Sequence, residues 1–276
     1  MSNVDQATVE GFGSEWSRFD HSDVDEDAIE QIFDDYFAIF PWDSIDPTAS
    51  VGADFGSGSG RWARLVAERC GKLYCVDAAA DAVAVARRNL AGQRNVEVHC
   101  APIDAAPIEP RSLDFGYSLG VLHHIPDTRA ALRDCVAKLK PGAPFLLYLY
   151  YALDNRGPLF RTIWRVSDAM RSRISQLPET PRHIVCDALA LTVYLPFATT
   201  ARVAERVGLD PTSIPLAYYR DKPFYTMRND SLDRFGTRLE QRFTKAEITE
   251  MMRAAGLRDI RFSDRAPFWC AVGYAH

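Results

Sequence analysis

The sequence predicts an α/β fold with a doubly wound, largely parallel sheet and a mainly helical insertion. From residue 49 to residue 151, short apolar runs alternate with segments of helical periodicity, and this alternation is typical of right-handed β-α-β units. A glycine-rich turn separates the first strand from the first helix of this stretch. The alternation then stops, and residues 152–242 are mixed helical sequence interrupted by prolines.

Local signals define each predicted element. Strands are expected at residues 50–55, 72–76, 95–100, 113–119, 143–151, 257–263 and 268–274. Helices are expected at residues 24–40, 60–70, 82–90 after an Asp81 cap, 128–139 after Asp127 or Thr128, and 245–255 after a capping box formed by Thr244 and Glu247. Residues 1–23 lack such a pattern, and we expect a mobile arm there.

Composition narrows the class of protein. The 276 residues are 47% hydrophobic and 25% charged, as in one globular domain with a sizeable insertion. The net charge of −5 argues against a nucleic-acid partner. The six cysteines have no C-x-x-C spacing, so we expect no metal site. Without a signal peptide or an apolar run long enough to span a bilayer, we expect a cytoplasmic protein with no stable membrane insertion.

The glycine-rich turn is the strongest candidate for a ligand site. It reads Asp54-Phe-Gly56-Ser57-Gly58-Ser-Gly60 and lies where a strand passes into a helix. Glycines there permit a tight bend and a close approach of a ligand to the backbone. Asp77 ends the second strand, at the spacing expected for a carboxylate that binds ribose hydroxyls. A plain tight turn is the alternative for the glycines, and a helix cap or a surface acid is the alternative for Asp77, but together the two features favour a ligand that contains adenosine.

The turn differs from a dinucleotide-binding loop. Such a loop has a third small residue where this chain has Arg61. Asp54 precedes the turn, and its charge suits a ligand with an amino group better than one with a pyrophosphate. A nucleotide-dependent oxidoreductase is therefore the weaker alternative. No Asn-Pro-Pro-Tyr motif or basic patch supports a nucleic-acid base methyltransferase.

In these and later motifs the chain resembles the class I S-adenosylmethionine methyltransferases. Within that class it is similar to the broad group of methyltransferase type 11 and to enzymes like those of ubiquinone and menaquinone biosynthesis. The resemblance is carried by residues 54–60, Val76-Asp77, residues 113–125, the Leu139-Lys-Pro-Gly142 turn and residues 243–256. It implies a Rossmann-like, seven-stranded sheet with its last strand antiparallel. It also implies S-adenosylmethionine as cofactor and S-adenosylhomocysteine as product.

The resemblance assigns roles to particular residues. Asp54 and the loop residues Gly56, Ser57, Gly58 and Gly60 would hold the amino-acid end of the cofactor. Asp77, with Ala78 beside it, would hold the ribose. Ile103 would pack on the adenine and Asp104 would contact its amino group, although Asp104 is equally well explained as an ordinary loop acid. Leu119 and Gly120 would lie beside the sulfonium.

Candidate residues for chemistry and acceptor binding follow the later strands. His123 and His124 lie at the end of the fourth strand, where open α/β sheets bind ligands, and either could be a general base. A packing or lining role is the alternative, and His124 is the preferred base. The candidate acceptor-binding residues are Tyr151, Asn155, Arg228, Asp233 and Arg234.

These observations predict three segments. Residues 1–48 form an N-terminal arm and helix that cover the cofactor site, residues 49–151 and 243–276 form the catalytic domain, and residues 152–242 form a cap over the acceptor. We expect methyl transfer to a hydroxyl of a small molecule or sugar, in a protein that could be a homodimer. The alternatives are N- or C-methylation of a small metabolite, and a non-catalytic module that binds the cofactor.

Overall fold

The computed structural model describes residues 3–18, 26–154 and 157–276. Their backbone contains a seven-stranded sheet in the order β3-β2-β1-β4-β5-β7-β6. The strands are β1 Val51–Phe55, β2 Lys72–Asp77, β3 Val96–Cys100, β4 Phe115–Leu119, β5 Pro144–Tyr148, β6 Leu257–Phe262 and β7 Ala271–Ala275. The pairs among β1 to β5 are parallel, and β7 is antiparallel to both β5 and β6. The predicted sheet, with its antiparallel last strand, is confirmed.

Two compact units divide the chain. The first comprises residues 1–155 and 239–276 and holds the sheet, and the second comprises residues 156–238. The helices of the first unit are α1 Gln6–Arg18, α2 Glu26–Phe37, α3 Arg61–Ala67, α4 Ala80–Asn89, α5 Thr128–Val136 and α10 Lys245–Ala254. The second unit contains α6 Pro158–Ile174, α7 Glu179–Leu189, α8 Leu195–Arg206 and α9 Phe224–Gly236.

Strand β5 shows why the sheet is buried on both faces. Phe145 and Leu147 belong to one hydrophobic core, with residues of α5 and α10, while Leu146 belongs to the other, with residues of α2 and α3. All three side chains are fully buried. Because consecutive side chains of a strand point to opposite faces, an uninterrupted apolar run fills both cores.

Side-chain hydrogen bonds cap the starts of α5 and α10. The Asp127 side chain accepts a hydrogen bond from the Ala130 amide and caps α5. The capping box of Thr244 and Glu247 is present at the start of α10, as predicted. The Asp81 cap is wrong, because α4 begins two residues earlier after Ala79, which provides no side-chain cap. Asp81 lies instead in the first turn, where a negative charge complements the helix dipole.

The expectation of a mobile arm over residues 1–23 is also wrong in part, because residues 6–18 form α1. Helix α1 packs against α4. Asn3, in the segment before α1, makes two hydrogen bonds to the backbone of Asp127. Its side-chain amide nitrogen donates to the Asp127 carbonyl at 2.8 Å, and its side-chain oxygen accepts from the Asp127 amide at 2.9 Å. Glycines at positions 11 and 13 weaken the helical signal of this segment in the sequence.

Within the second unit, polar side chains tie helices to one another. Arg228 of α9 makes two hydrogen bonds to the Asp187 carboxylate of α7, at 3.0 and 3.1 Å. Arg171 of α6 is buried, where it pairs with Asp168 and donates to the carbonyls of Thr237 and Arg238. Because a buried guanidinium needs several acceptors, this arrangement satisfies most of its donors.

Candidate cofactor and acceptor site

The glycine-rich turn after β1 has the backbone that its sequence predicts. Gly56, Gly58 and Gly60 have φ angles of +86°, +52° and +78°, a region that favours glycine. A Cβ atom on Gly56 would lie 2.4 Å from both methyl carbons of Val121, and one on Gly60 would lie 2.7 Å from Leu90 Cδ1. The turn is therefore closed to side chains at two positions by both conformation and packing.

Asp77, at the end of β2, is joined to this turn. Its Oδ2 accepts a hydrogen bond from the Gly58 amide and its Oδ1 accepts one from the Ala79 amide, each at 2.9 Å. Burial raises the pKa of this carboxyl, while its bonds to the Ala79, Gly58 and Ala78 amides oppose the rise. The two oxygens of a carboxylate have about four lone-pair sites, so the group keeps capacity for a further donor beyond these amides.

Asp54 is the buried acid of the site, at 2% exposure. Its side chain lies on one sheet face beside Tyr117 of β4 and Cys75 of β2, which are its partners in the strand register. Oδ2 has no hydrogen-bond partner among the described residues. Burial raises the Asp54 pKa to about 8, and the Tyr117 hydroxyl opposes this rise without reaching hydrogen-bond geometry. The free protein thus holds a carboxyl group that a neighbouring cation would ionise.

The histidine pair lies directly after β4, in a short 3-10 helix over Leu122–His124. Val121, which precedes this helix, is the residue that packs against Gly56. The turn after β4 and the turn after β1 therefore meet at the carboxyl edge of the sheet. Ligands of open α/β sheets bind at this edge.

His124 is held by a hydrogen bond across the fold. Its Nδ1 lies 2.6 Å from the carbonyl oxygen of Leu239. A carbonyl can only accept, so Nδ1 carries the proton of this bond. In the neutral imidazole, Nε2 is then the nitrogen with the lone pair. The ring is 5% exposed, and the bond to Leu239 fixes its tautomer.

His123 has different surroundings. It is fully buried, and its ring lies 3.9 Å from the Tyr150 ring between centroids. Its Nδ1 accepts a 3.4 Å hydrogen bond from the Tyr150 amide. Burial first, and then the neighbouring His124 and Arg242, hold the pKa of His123 well below its usual value. His123 is therefore neutral across the physiological pH range.

Helix α1 runs past this edge of the sheet. The Phe12 ring meets the His124 ring edge to face, with centroids 4.8 Å apart. One residue on, a Cβ atom added to Gly13 would lie 3.3 Å from the carboxylate of Asp81, in the first turn of α4. The helix thus extends from the histidine pair to the helix that follows Asp77.

The other predicted cofactor residues lie at the same edge. Ala78 follows β2 directly, Leu119 ends β4 and Gly120 follows that strand. Gly120 has a φ of +77°, and a Cβ atom placed on it would meet no atom within 4 Å. Ile103 is buried in the 3-10 turn after β3, whereas Asp104 is exposed there. Asp104 also raises the pKa of Asp134 on α5, after the larger effect of burial.

The predicted acceptor residues have separate locations. Tyr151 lies just after β5, and its ring is next to Phe268 and Trp269, at 5.9 and 6.4 Å. Asn155 lies outside the described residues. Arg228, Asp233 and Arg234 are all on α9 of the second unit. Arg228 is bound to Asp187, as described above.

Sequence reasoning missed a polar group beside the histidines. Arg242 lies over the Tyr150 ring, with Cζ 5.1 Å from the ring centroid, and its Nε pairs with Glu240 at 2.8 Å. The Glu240 side chain is only 1% exposed. The segment that carries both residues also contributes the Leu239 carbonyl to His124. The charged run Leu-Glu-Gln-Arg before the capping box was the available signal.

Comparisons with known proteins identify the class of this domain. Residues 53–147 match the family described as Methyltransferase domain. A ubiquinone biosynthesis O-methyltransferase of Idiomarina loihiensis is 35% identical over 105 residues, which are 37% of this chain and 42% of the relative. Phosphoethanolamine N-methyltransferase 2 of Caenorhabditis elegans is 31% identical over 100 residues, 35% of this chain and 23% of the relative. These matches span less than half the length of either relative.

Solved structures share the fold at low sequence identity. YcgJ of Bacillus subtilis has a TM-score of 0.50 at 15% identity, over 86% of this chain and 70% of that one. The methyltransferase in complex with the Haloferax volcanii Trm112 methyltransferase activator has a TM-score of 0.51 at 15% identity, over 96% and 97% of the two chains. These structures show the fold alone. Residues 53–147 lie within the sheet unit and match the methyltransferase-domain family, which confirms the resemblance to the class I S-adenosylmethionine-dependent methyltransferases seen in the sequence.

The residues of this structure fit the cofactor of that class, S-adenosylmethionine. The buried Oδ2 of Asp54 has no hydrogen-bond partner within residues 3–18, 26–154 and 157–276, and it suits an ammonium group. The lone pairs that remain on the Asp77 carboxylate suit ribose hydroxyls. The open space at Gly120 leaves room beside the end of β4.

Proposed function

We propose that this chain is a methyltransferase enzyme that transfers the methyl group of S-adenosylmethionine to a hydroxyl of a small molecule or sugar. The observation that carries the proposal is the hydrogen bond from His124 Nδ1 to the Leu239 carbonyl. It holds an imidazole in the tautomer of a base, at the sheet edge where the glycine turn and Asp77 also lie. Similarity to ubiquinone biosynthesis O-methyltransferases supports oxygen as the acceptor atom.

The cofactor, when bound, supplies an activated methyl group on a sulfonium. Asp54, the turn from Gly56 to Gly60 and Asp77 with Ala78 would bind it, with Leu119 and Gly120 beside the sulfonium and Ile103 and Asp104 near the adenine. Holding donor and acceptor in line supplies much of the rate of such a displacement. The remaining task of the protein is removal of the hydroxyl proton.

We assign that task to His124. During methyl transfer, His124 Nε2 would accept the proton that the acceptor hydroxyl loses. The proton on Nδ1 stays in its bond to the Leu239 carbonyl, so His124 becomes an imidazolium stabilised by that carbonyl. His123 would act as a packing residue, since its low pKa and its place under Tyr150 make it a poor base.

Matched variants of the two histidines test the assignment. With S-adenosylmethionine and panels of phenolic, sugar and amine acceptors, methylated products are identified by mass spectrometry. His124→Gln is expected to lower kcat for hydroxyl acceptors by about 10²-fold or more and to change the Kd of S-adenosylhomocysteine little. His123→Gln, the matched control, is expected to affect folding stability more than kcat. Full hydroxyl methylation by His124→Gln would refute the role of His124.

An amine acceptor is the second candidate, supported by the similarity to phosphoethanolamine N-methyltransferase 2. A neutral amine needs no base before it attacks a methyl group, so its methylation would survive His124→Gln. Product from the amine panel alone, insensitive to this variant, would favour N-methylation. Cofactor binding without product from any acceptor would favour the non-catalytic module.

The segments predicted from the sequence enter this proposal with the same roles. We propose that α1 and the chain to residue 48 cover the cofactor, and that Tyr151, Asn155, Arg228, Asp233 and Arg234 bind the acceptor. The contact of Phe12 with His124 supports the first role. A cytoplasmic location, a homodimer and the absence of a nucleic-acid partner stay predictions.

A further inference from the structure

The second unit contains a long helical run with two apolar sides. Helices α7 and α8 are continuous through a π-helical turn at Ala190–Tyr194, so the run extends over Glu179–Arg206. One side packs inside the unit through Cys186, Ala190, Tyr194, Ala198 and Ala201. The spacing of these residues is three to four, which places them on one helix face.

The other side is apolar and exposed. Leu191 is 55% exposed and Phe197 is 40% exposed, and further exposed apolar side chains of the run are Ile184, Val193 and Val203. Residues 188–201 include no Asp, Glu, Lys or Arg. Only 28% of the most apolar 18-residue window of the run is buried. Apolar surface of this extent on one helix marks a binding surface.

Charge is distributed unevenly between the two units. Residues 156–238 contain thirteen Arg and Lys against eight Asp and Glu, a net charge of +5, whereas the whole chain has −5. The rest of the chain therefore carries −10. Arg202 and Arg206 lie on the last turns of α8 and are exposed. The apolar helix side belongs to the one positively charged unit of an acidic protein.

We propose that the exposed side of residues 184–203 docks on the surface of an anionic phospholipid bilayer. A helix with an exposed apolar side and flanking cations lies in the interface between headgroups and acyl chains. The positive charge of the unit complements the negative charge of the headgroups, each basic side chain contributing near the surface. The inference concerns the second unit and does not depend on the identity of the methyl acceptor.

The prediction that no apolar run is long enough to span a bilayer is wrong by length and composition, because the helical run Glu179–Arg206 meets both criteria. Its packing nevertheless argues for a surface position. Its inner side packs against other residues of the unit. The Tyr194 ring lies 5.2 Å from the Tyr219 ring, and Ser231 Oγ donates a hydrogen bond to the Cys186 carbonyl. A second copy of the chain is a weaker partner, because it would bring two positively charged units together.

Vesicle co-sedimentation of the full chain tests the proposal. The vesicles are phosphatidylcholine alone and phosphatidylcholine with 30% phosphatidylglycerol. Partitioning is expected to be at least about tenfold stronger on the anionic vesicles and to weaken as NaCl rises. Leu191→Glu/Phe197→Glu is expected to reduce the partitioning by about tenfold or more, because two apolar contacts with the acyl chains are lost and two negative charges are added.

A matched variant separates the helix surface from overall charge. Ala91→Glu/Ala246→Glu adds the same two charges at exposed positions of the sheet unit, and it is expected to bind vesicles like the wild type. Circular dichroism verifies folding, and the neutral variant Leu191→Gln, expected to bind at an intermediate level, replaces the double variant if that one unfolds. Equal binding by wild type and Leu191→Glu/Phe197→Glu would overturn the proposal. The proposal would also be overturned if the wild type did not bind vesicles and instead formed a dimer that Leu191→Glu/Phe197→Glu dissociates.

Discussion

The buried carboxyl of Asp54 makes cofactor binding depend on pH. In the free protein burial raises its pKa to about 8, so below that pH the group is mostly protonated. If Asp54 pairs with the ammonium group of the cofactor, the complex favours the ionised form and binding releases one proton. The affinity should then rise about tenfold for each pH unit between pH 6 and pH 7, since one pKa unit corresponds to a factor of ten.

Calorimetry with S-adenosylhomocysteine, which keeps the ammonium group, measures both quantities. The Kd is determined at pH 6.0 and 7.0, and titrations in two buffers of different ionisation enthalpy count the protons released. Asp54→Asn cannot ionise, so it is expected to bind weakly, with a Kd that is nearly the same at the two pH values. No proton release by the wild type, or the same pH dependence in Asp54→Asn, would refute the pairing.

The same group should also affect folding stability. Its pKa in the folded state is above the usual value of 3.8, so the unfolded state loses the proton first as pH rises. The contribution of Asp54 to stability is thus fully present below about pH 4 and is lost progressively up to about pH 8. Asp54→Asn is expected to raise Tm at pH 7 and to leave it nearly unchanged at pH 4. A lower Tm at pH 7 would contradict this.

Three further changes have defined outcomes. Gly56→Ala should lower the free energy of unfolding by about 2–4 kcal/mol in urea titrations, from strain at positive φ and from overpacking on Val121. Gly142→Ala, with a φ of +83° and no atom within 4 Å, is its control and should cost about 1 kcal/mol; equal losses would exclude the packing effect. Thr244→Ala should cost about 1 kcal/mol by removing the cap of α10, and Thr244→Ser should restore most of it. Phe12→Ala should weaken S-adenosylhomocysteine binding severalfold if α1 covers the cofactor, and an unchanged Kd would argue against that role.

Much of the fold could be predicted because its signals are local. The apolar run at β5 fills both cores of the sheet, and the three glycines of the turn have the positive φ angles that such a bend requires. The same locality explains the two errors. Asp81 is a good capping residue, but α4 begins earlier, at Ala80. Residues 6–18 have a weak helical signal, and they form α1 packed against α4.

The residues of the candidate site also fall into two groups, those predicted from local sequence and those placed only by tertiary packing. The sequence by itself determined the glycine turn, the acid at the end of β2 and the histidine pair after β4, since each depends on residues adjacent in the chain. Only the tertiary structure decided that the Leu239 carbonyl, 115 residues from His124, fixes that ring, and that Glu240 and Arg242 lie beside it. It also decided which side of residues 184–203 is exposed. Such contacts depend on how distant segments pack, and no local periodicity or propensity encodes that packing.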